Sequence, residues 1–133
     1  MNKTVTLIVP CYNEEESLPI FYRAVCDVAR GLPQYQISLL FVNDGSKDGT
    51  LNVMRNLAAQ DERVKYLSFS RNFGKEAAMY AGFCNAKGDY VAVMDADMQD
   101  PPSLLPEMLA ILETGEYDSV ATRRVTRDGE PPI

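Results

Sequence analysis

Five apolar runs punctuate the chain, and stretches with a helical period lie between them. Thr4 to Pro10 is almost continuously apolar, as a central parallel strand buried on both faces would be. Pro10 lacks an N–H and is expected to end that strand's ladder. Ile37 to Val42 is a second run of this kind, Val64 to Ser68 a shorter third, Tyr90 to Met94 a fourth, and Asp118 to Thr122 a short fifth. After the first run, Leu18, Phe21, Tyr22, Val25, Val28 and Ala29 recur at helical spacing, with Asn13 or Ser17 placed to cap the helix and Gly31 and Pro33 to end it. Leu51, Met54, Leu57 and Ala58 mark a second helix, with Asp48 or Ser46 as its cap. A third runs from about Lys75 to Ala86, and Ala77, Ala78, Ala81 and Gly82 let it approach a sheet closely. Ser103 to Glu113 is the fourth; Pro106 is tolerated in its first turn, and Gly115 ends it.

Strand and helix alternate throughout, which predicts an α/β fold: a mostly parallel sheet, helices on both faces, right-handed crossovers. The core is expected over 1–122, and 123–133 reads as an irregular tail. Ligand-binding loops of such sheets collect at the carboxyl ends of the strands. The polar clusters Tyr12–Glu14, Asn43–Asp48, Arg71–Lys75 and Asp95–Gln99 all fall there.

Composition narrows the chemistry. With 133 residues, 46% of them hydrophobic, the chain suffices for one core. A net charge of -6 argues against a nucleic-acid partner. There is no histidine, so the commonest general base and transition-metal ligand are missing and any metal is expected on oxygen. Cys11, Cys26 and Cys84 are odd in number and widely spaced, as reduced thiols of a cytoplasmic domain would be. No apolar run approaches a membrane span and no signal peptide is visible.

The sharpest chemical feature is Val91-Ala92-Val93-Met94-Asp95-Ala96-Asp97-Met98-Gln99-Asp100-Pro101-Pro102. An apolar strand ends in three carboxylates and an amide. In extended chain Asp95, Asp97 and Gln99 point the same way, a set of hard oxygen donors suited to Mg²⁺ or Mn²⁺. A turn and helix cap is the plainer reading of the same residues. Glu14 and Asp44 each follow a buried strand and can accept hydrogen bonds from a nucleobase edge or ribose, or cap helices. Gly45 beside Asp44 permits close backbone approach. Tyr12 can stack on a base or pack as an ordinary aromatic. Arg71 and Lys75, at a loop-to-helix junction, can hold a diphosphate or form a solvated basic edge. Neither a P-loop nor a Gly-x-Gly-x-x-Gly dinucleotide fingerprint is present. A phosphoacceptor receiver domain would need an acidic pair where Pro10-Cys11 stands.

Taken as an ordered set, Ile-Val-Pro-Cys-Tyr-Asn-Glu-Glu at 8–15, Val-Asn-Asp-Gly-Ser at 42–46, Asp-Gly-Thr at 48–50, Ser-Arg-Asn-Phe-Gly-Lys at 70–75 and Asp-Ala-Asp-Met-Gln-Asp-Pro-Pro at 95–102 resemble family 2 inverting glycosyltransferases. The Arg-Asn-Phe-Gly-Lys and Gln-Asp-Pro pieces resemble the branch that charges a polyprenyl phosphate, the dolichol-phosphate mannose synthases and bactoprenol glucosyltransferases. The resemblance implies a GT-A, Rossmann-like three-layer fold. It implies that Pro10, Tyr12, Glu14, Val42 and Asp44 surround the base and ribose and that Asp95 and Ala96 line the nucleotide. Asp97 and Gln99 would hold Mg²⁺ or Mn²⁺ on the diphosphate, with Asp97 and Arg123 as the catalytic pair. Arg123 matches a family Gly-Ser-Arg position, but Ala121-Thr122 precedes it here.

The implied partners are a nucleoside-diphosphate sugar and a polyprenyl phosphate, in cell-wall or surface-polysaccharide synthesis. Relatives continue for roughly another hundred residues, so the chain is expected to be an N-terminal module, with membrane association through later parts at the cytoplasmic face. Transfer to a sugar hydroxyl, as in polysaccharide synthases, is the alternative reaction. Nucleotide-sugar binding without catalysis is the alternative for this segment alone.

Overall fold

The computed structural model describes residues 3–99, 101–114 and 120–121. In chain order the elements are β1 (Lys3–Cys11), α1 (Ser17–Arg30), β2 (Tyr35–Asn43), α2 (Thr50–Gln60), β3 (Val64–Ser68), α3 (Lys75–Asn85), β4 (Tyr90–Val93), a 3₁₀ turn (Pro102–Leu104), α4 (Leu105–Glu113) and β5 (Val120–Ala121). The strands form one sheet in the order β3-β2-β1-β4-β5, and every pairing is parallel. The chain winds outward from β1 to β3, returns to the other side of β1 for β4, and continues to β5. The strand order therefore reverses between β1 and β4, and in open parallel sheets the crevice above such a reversal is where ligands bind.

Side-chain alternation along β1 explains the layers. Val5, Leu7, Val9 and Cys11 face a large core with Ile37, Leu39 and Phe41 of β2, Leu18, Phe21 and Val25 of α1, Met54 of α2 and Leu105, Met108, Leu109 and Leu112 of α4. Phe21 meets Phe41 edge-on, with centroids 6.5 Å apart. On the opposite face Ile8, Val42 and Val93 pack against Ala78 of α3. Gly82 lets α3 ride close to the sheet, since a Cβ there would lie 2.4 Å from Ile8 Cγ2. Helices thus cover both faces, three on one and α3 on the other.

Three details differ from the sequence expectation. Pro10 does not end β1, which continues to Cys11 opposite Asn43. Met94 N–H donates to Ile8 O and Asp44 N–H to Cys11 O, both at 2.9 Å. By alternation Pro10 turns its missing N–H toward β4 just past that strand's last paired residue, Val93, so no ladder bond is lost. Neither Asn13 nor Ser17 caps α1, whose N-cap is Glu16 without a side-chain bond. Asn13 instead takes a left-handed conformation (φ 54°) and accepts Lys47 N–H at Oδ1 (2.8 Å), tying the two loops together. Ser46 likewise does not cap α2: its hydroxyl accepts Asn13 N–H at 2.9 Å. Asp48 acts from one position outside the cap, Gly49, accepting Thr50 N–H at 2.9 Å. Of the expected fifth strand, Val120–Ala121 is found; its other positions and 122–133 lie outside the described residues.

Candidate functional site

The reversal between β1 and β4 carries a cavity of about 260 Å³, lined by Pro10, Cys11, Tyr12, Glu14, Asp44, Lys75, Asp95, Asp97 and Gln99. Four separate loops supply these residues, each from the carboxyl end of a strand. Eight of the residues anticipated from the sequence are brought together there, and Cys11 is added by its place at the end of β1. A larger concavity, about 910 Å³, opens at the other end of the sheet between Ala29–Arg30, Tyr35–Ser38 and Glu62–Lys65. It lies at the amino ends of the strands, away from the switch point, and gathers no converging carboxylates.

Asp44 is the most constrained side chain of the site. It is 4% exposed, and its carboxylate accepts hydrogen bonds from Phe73 N–H (2.8 Å), Gly74 N–H (3.1 Å) and Asn72 Nδ2 (3.2 Å). Gly45 makes this possible: its φ is +70°, and a Cβ there would lie 2.2 Å from the carbonyl carbon of Arg71 and 2.3 Å from Asn72 N. The turn after β2 is thereby pressed against the loop after β3. That loop launches α3 from Gly74, and the first helical residue, Lys75, reaches across the cavity to Asp95, Nζ to Oδ1 2.7 Å. Asp44 therefore meets protein donors on three sides and positions the loop, a use of its carboxylate that the sequence did not reveal.

The stretch after β4 has its own internal order. Asp97 Oδ1 accepts Gln99 N–H at 3.1 Å, an Asx-type turn with Met98 at φ 66°. Ala96 between the two carboxylates is fully buried. Asp95 is half-buried, and Asp97 and Gln99 are exposed at the cavity rim. Carboxylate crowding is felt at Glu14, whose proton affinity is raised by burial and then by the charge of Asp97, with smaller contributions from Asp95 and Asp48 against a lowering bond from Ser17. The Cys11 thiol is pushed well up by burial, and Glu14 and Asp95 add to this; it stays protonated and inert at neutral pH.

Three anticipated residues, Val42, Ala96 and Arg71, are not among those lining the cavity. Val42 and Ala96 are wholly enclosed, Val42 in the α3-side core and Ala96 in the larger one, because strand alternation and the turn point their side chains inward. Arg71 is displaced: its backbone is pressed on Gly45, and its guanidinium carbon stands 4.7 Å from the centroid of the Phe73 ring. Arg123 lies outside the described residues.

The donor set fits a hard divalent cation in part. Asp95, Asp97 and Gln99 offer two carboxylates and an amide oxygen on one cavity. Among the described residues no three acidic, thiol or imidazole groups close into a cage. Mg²⁺ commonly takes one or two carboxylates and completes its shell with water and substrate phosphate.

A parallel sheet ordered 3-2-1-4-5 with helices on both faces is a Rossmann-like α/β module, and its likeness to solved glycosyltransferases makes it one of GT-A type. The family model described as glycosyl transferase family 2 matches residues 6–132, and the chain belongs to that family. It is 42% identical over 123 residues to the prophage bactoprenol glucosyl transferase homolog of Escherichia coli K12, covering 92% of this chain and 40% of that one. It is 37% identical over 126 residues to the undecaprenyl-phosphate 4-deoxy-4-formamido-L-arabinose transferase of Photorhabdus laumondii, covering 94% of this chain and 38% of that one. The chain thus spans about two fifths of the length of these curated relatives. In fold it is similar to the mannosyltransferase PcManGT of Pyrobaculum calidifontis, solved in complex with GDP-Man and Mn²⁺, with a TM-score of 0.62 at 24% identity over 73% of this chain and 28% of that one.

Proposed function

We propose that this chain is the donor-binding part of a glycosyltransferase that moves a sugar from a nucleoside-diphosphate sugar to a polyprenyl phosphate, with inversion at the anomeric carbon. The observation that carries the reading is the 42% identity to a bactoprenol glucosyl transferase homolog across 92% of the chain. The cavity supports it. Tyr12, 43% exposed and lining the cavity, would stack on a base. Glu14 would accept from the base or ribose, and Asp44 holds the loop that presents Lys75. Lys75 and, beyond the described residues, Arg123 would attract the diphosphate. Asp95, Asp97 and Gln99 would hold a Mg²⁺ or Mn²⁺ ion, which when bound offsets charge on the leaving diphosphate.

The acceptor fits a chain without histidine. A phosphate monoester's second pKa is about 6, so its oxygen is already ionised near neutral pH and needs no strong general base. With such an acceptor, the reading extends to a site at the cytoplasmic face of a membrane, in cell-wall or surface-polysaccharide synthesis. Among the described residues no helix is long and apolar enough to cross a membrane.

The test incubates the protein with radiolabelled UDP-glucose or GDP-mannose, Mn²⁺ or Mg²⁺ and undecaprenyl phosphate, and measures label extracted into an organic phase. Lipid-linked label supports the reading; label on a soluble sugar hydroxyl with none on lipid overturns it. The two-fifths coverage of the relatives favours a second reading for these 133 residues taken alone, donor binding without transfer. A melting temperature raised by UDP or GDP with Mn²⁺, without turnover, would be its signature.

A further inference from the structure

Lys75 stands where local physics does not favour a cation. It is the first residue of α3, its cap Gly74 offers no side-chain bond, and the amino end of a helix carries partial positive charge. Its side chain is 48% exposed and free to extend into solvent, yet the ammonium lies 2.7 Å from Asp95 Oδ1. The cavity explains the choice. Glu14, Asp44, Asp95 and Asp97 all line it, and Lys75 is the only cationic side chain among its described lining residues.

A divalent ion held by Asp95 would lie close to this ammonium. Metal–oxygen bonds of about 2.0–2.1 Å would bring such an ion against the ammonium. Two positive charges so close repel each other, less than in a dry interior because Lys75 is half exposed. An ammonium on Asp95 Oδ1 therefore weakens a divalent ion's hold on the same carboxylate.

We infer that Lys75 is a placeholder cation: it neutralises Asp95 before the donor binds, weakens the binding of free divalent metal there, and yields Asp95 more readily when a nucleotide's phosphates arrive to take the ammonium. This rests on the donor-site reading above. It makes metal and nucleotide entry cooperative, because the diphosphate supplies both the missing metal ligands and a new partner for Lys75.

The test measures Mn²⁺ binding to the 133-residue chain by the loss of the free-ion electron paramagnetic resonance signal, alone and with UDP or GDP. Lys75→Gln should bind Mn²⁺ alone roughly three- to tenfold more tightly than the wild type, the discount reflecting a half-exposed pair. It should also lose much of the tightening that the nucleotide gives. Lys75→Arg keeps the charge and should stay within about twofold of the wild type in the absence of nucleotide. If the wild type binds Mn²⁺ with nucleotide but Lys75→Gln binds Mn²⁺ alone no better, the placeholder role is wrong and the donor site stands. If the wild type binds neither UDP nor GDP with Mn²⁺, the donor-site reading falls and this inference falls with it.

Discussion

At the scale of single residues, Asp44 shows how one side chain can serve both folding and a site. Its carboxylate satisfies two backbone N–H groups and the Asn72 amide while almost fully buried. Asp44→Ala leaves those donors unpaired and should cost about 2–4 kcal/mol in urea unfolding. Asp44→Asn, which retains one acceptor oxygen, should cost less. In both variants nucleotide affinity should fall with or without metal, because the loop that carries Lys75 loses its anchor; unchanged stability would show that the three bonds are dispensable. The sequence showed that a carboxylate follows a buried strand at 44, as at 14 and 95. It did not show the partners, since Asn72–Gly74 reach Asp44 only through the β2–β3 register. The same holds for Arg71: its backbone contact with Gly45 is a product of packing, not of spacing.

At the scale of elements, the hydrophobic periods located the first four strands and the described helices to within a few residues. The runs of β1 and β2 are long and buried, which leaves little alternative, whereas β3 is a short, mostly exposed edge strand among the described residues. The N-cap assignments at 13 and 46 failed because these side chains bond across the two loops, which local sequence does not encode, while Ser17 turns back to Glu14 O within its own loop. The junction of the β2–α2 turn with the β3–α3 loop is the tightest of these loop contacts. Gly45→Ala combines a left-handed backbone with a Cβ inside the Arg71–Asn72 peptide. It should destabilise by more than about 2 kcal/mol, read as a fall in the urea midpoint at unchanged slope. Wild-type stability in this variant would mean that the two loops separate at no cost.

At the scale of the whole molecule, a polar clasp closes the end of the sheet opposite the cavity. Glu113 at the end of α4 accepts Lys3 Nζ (2.7 Å), Tyr90 Oη (2.5 Å) and Tyr35 Oη (3.0 Å), joining α4 to β1, β4 and β2. Lys3, then Tyr90 and Tyr35, hold the Glu113 carboxyl down at about 2. A folded pKa below the unfolded value of about 4.3 stabilises fully above that value, and the gain is lost as pH falls through the folded one. Glu113→Gln should therefore melt below the wild type at pH 7, the gap closing between about pH 5 and pH 2; a gap independent of pH would assign the effect to packing. The opposite end of the same strands has another consequence. Val5 pairs with Ile37 on one side and with Tyr90 on the other, so one flank of β1 is sequence-near and the other remote. The cavity straddles that seam: Glu14, Asp44 and Lys75 come from the near half, and Asp95 to Gln99 enter only with β4. A ligand held across it acts as a reversible cross-link between the two halves, stabilising their union over either half alone.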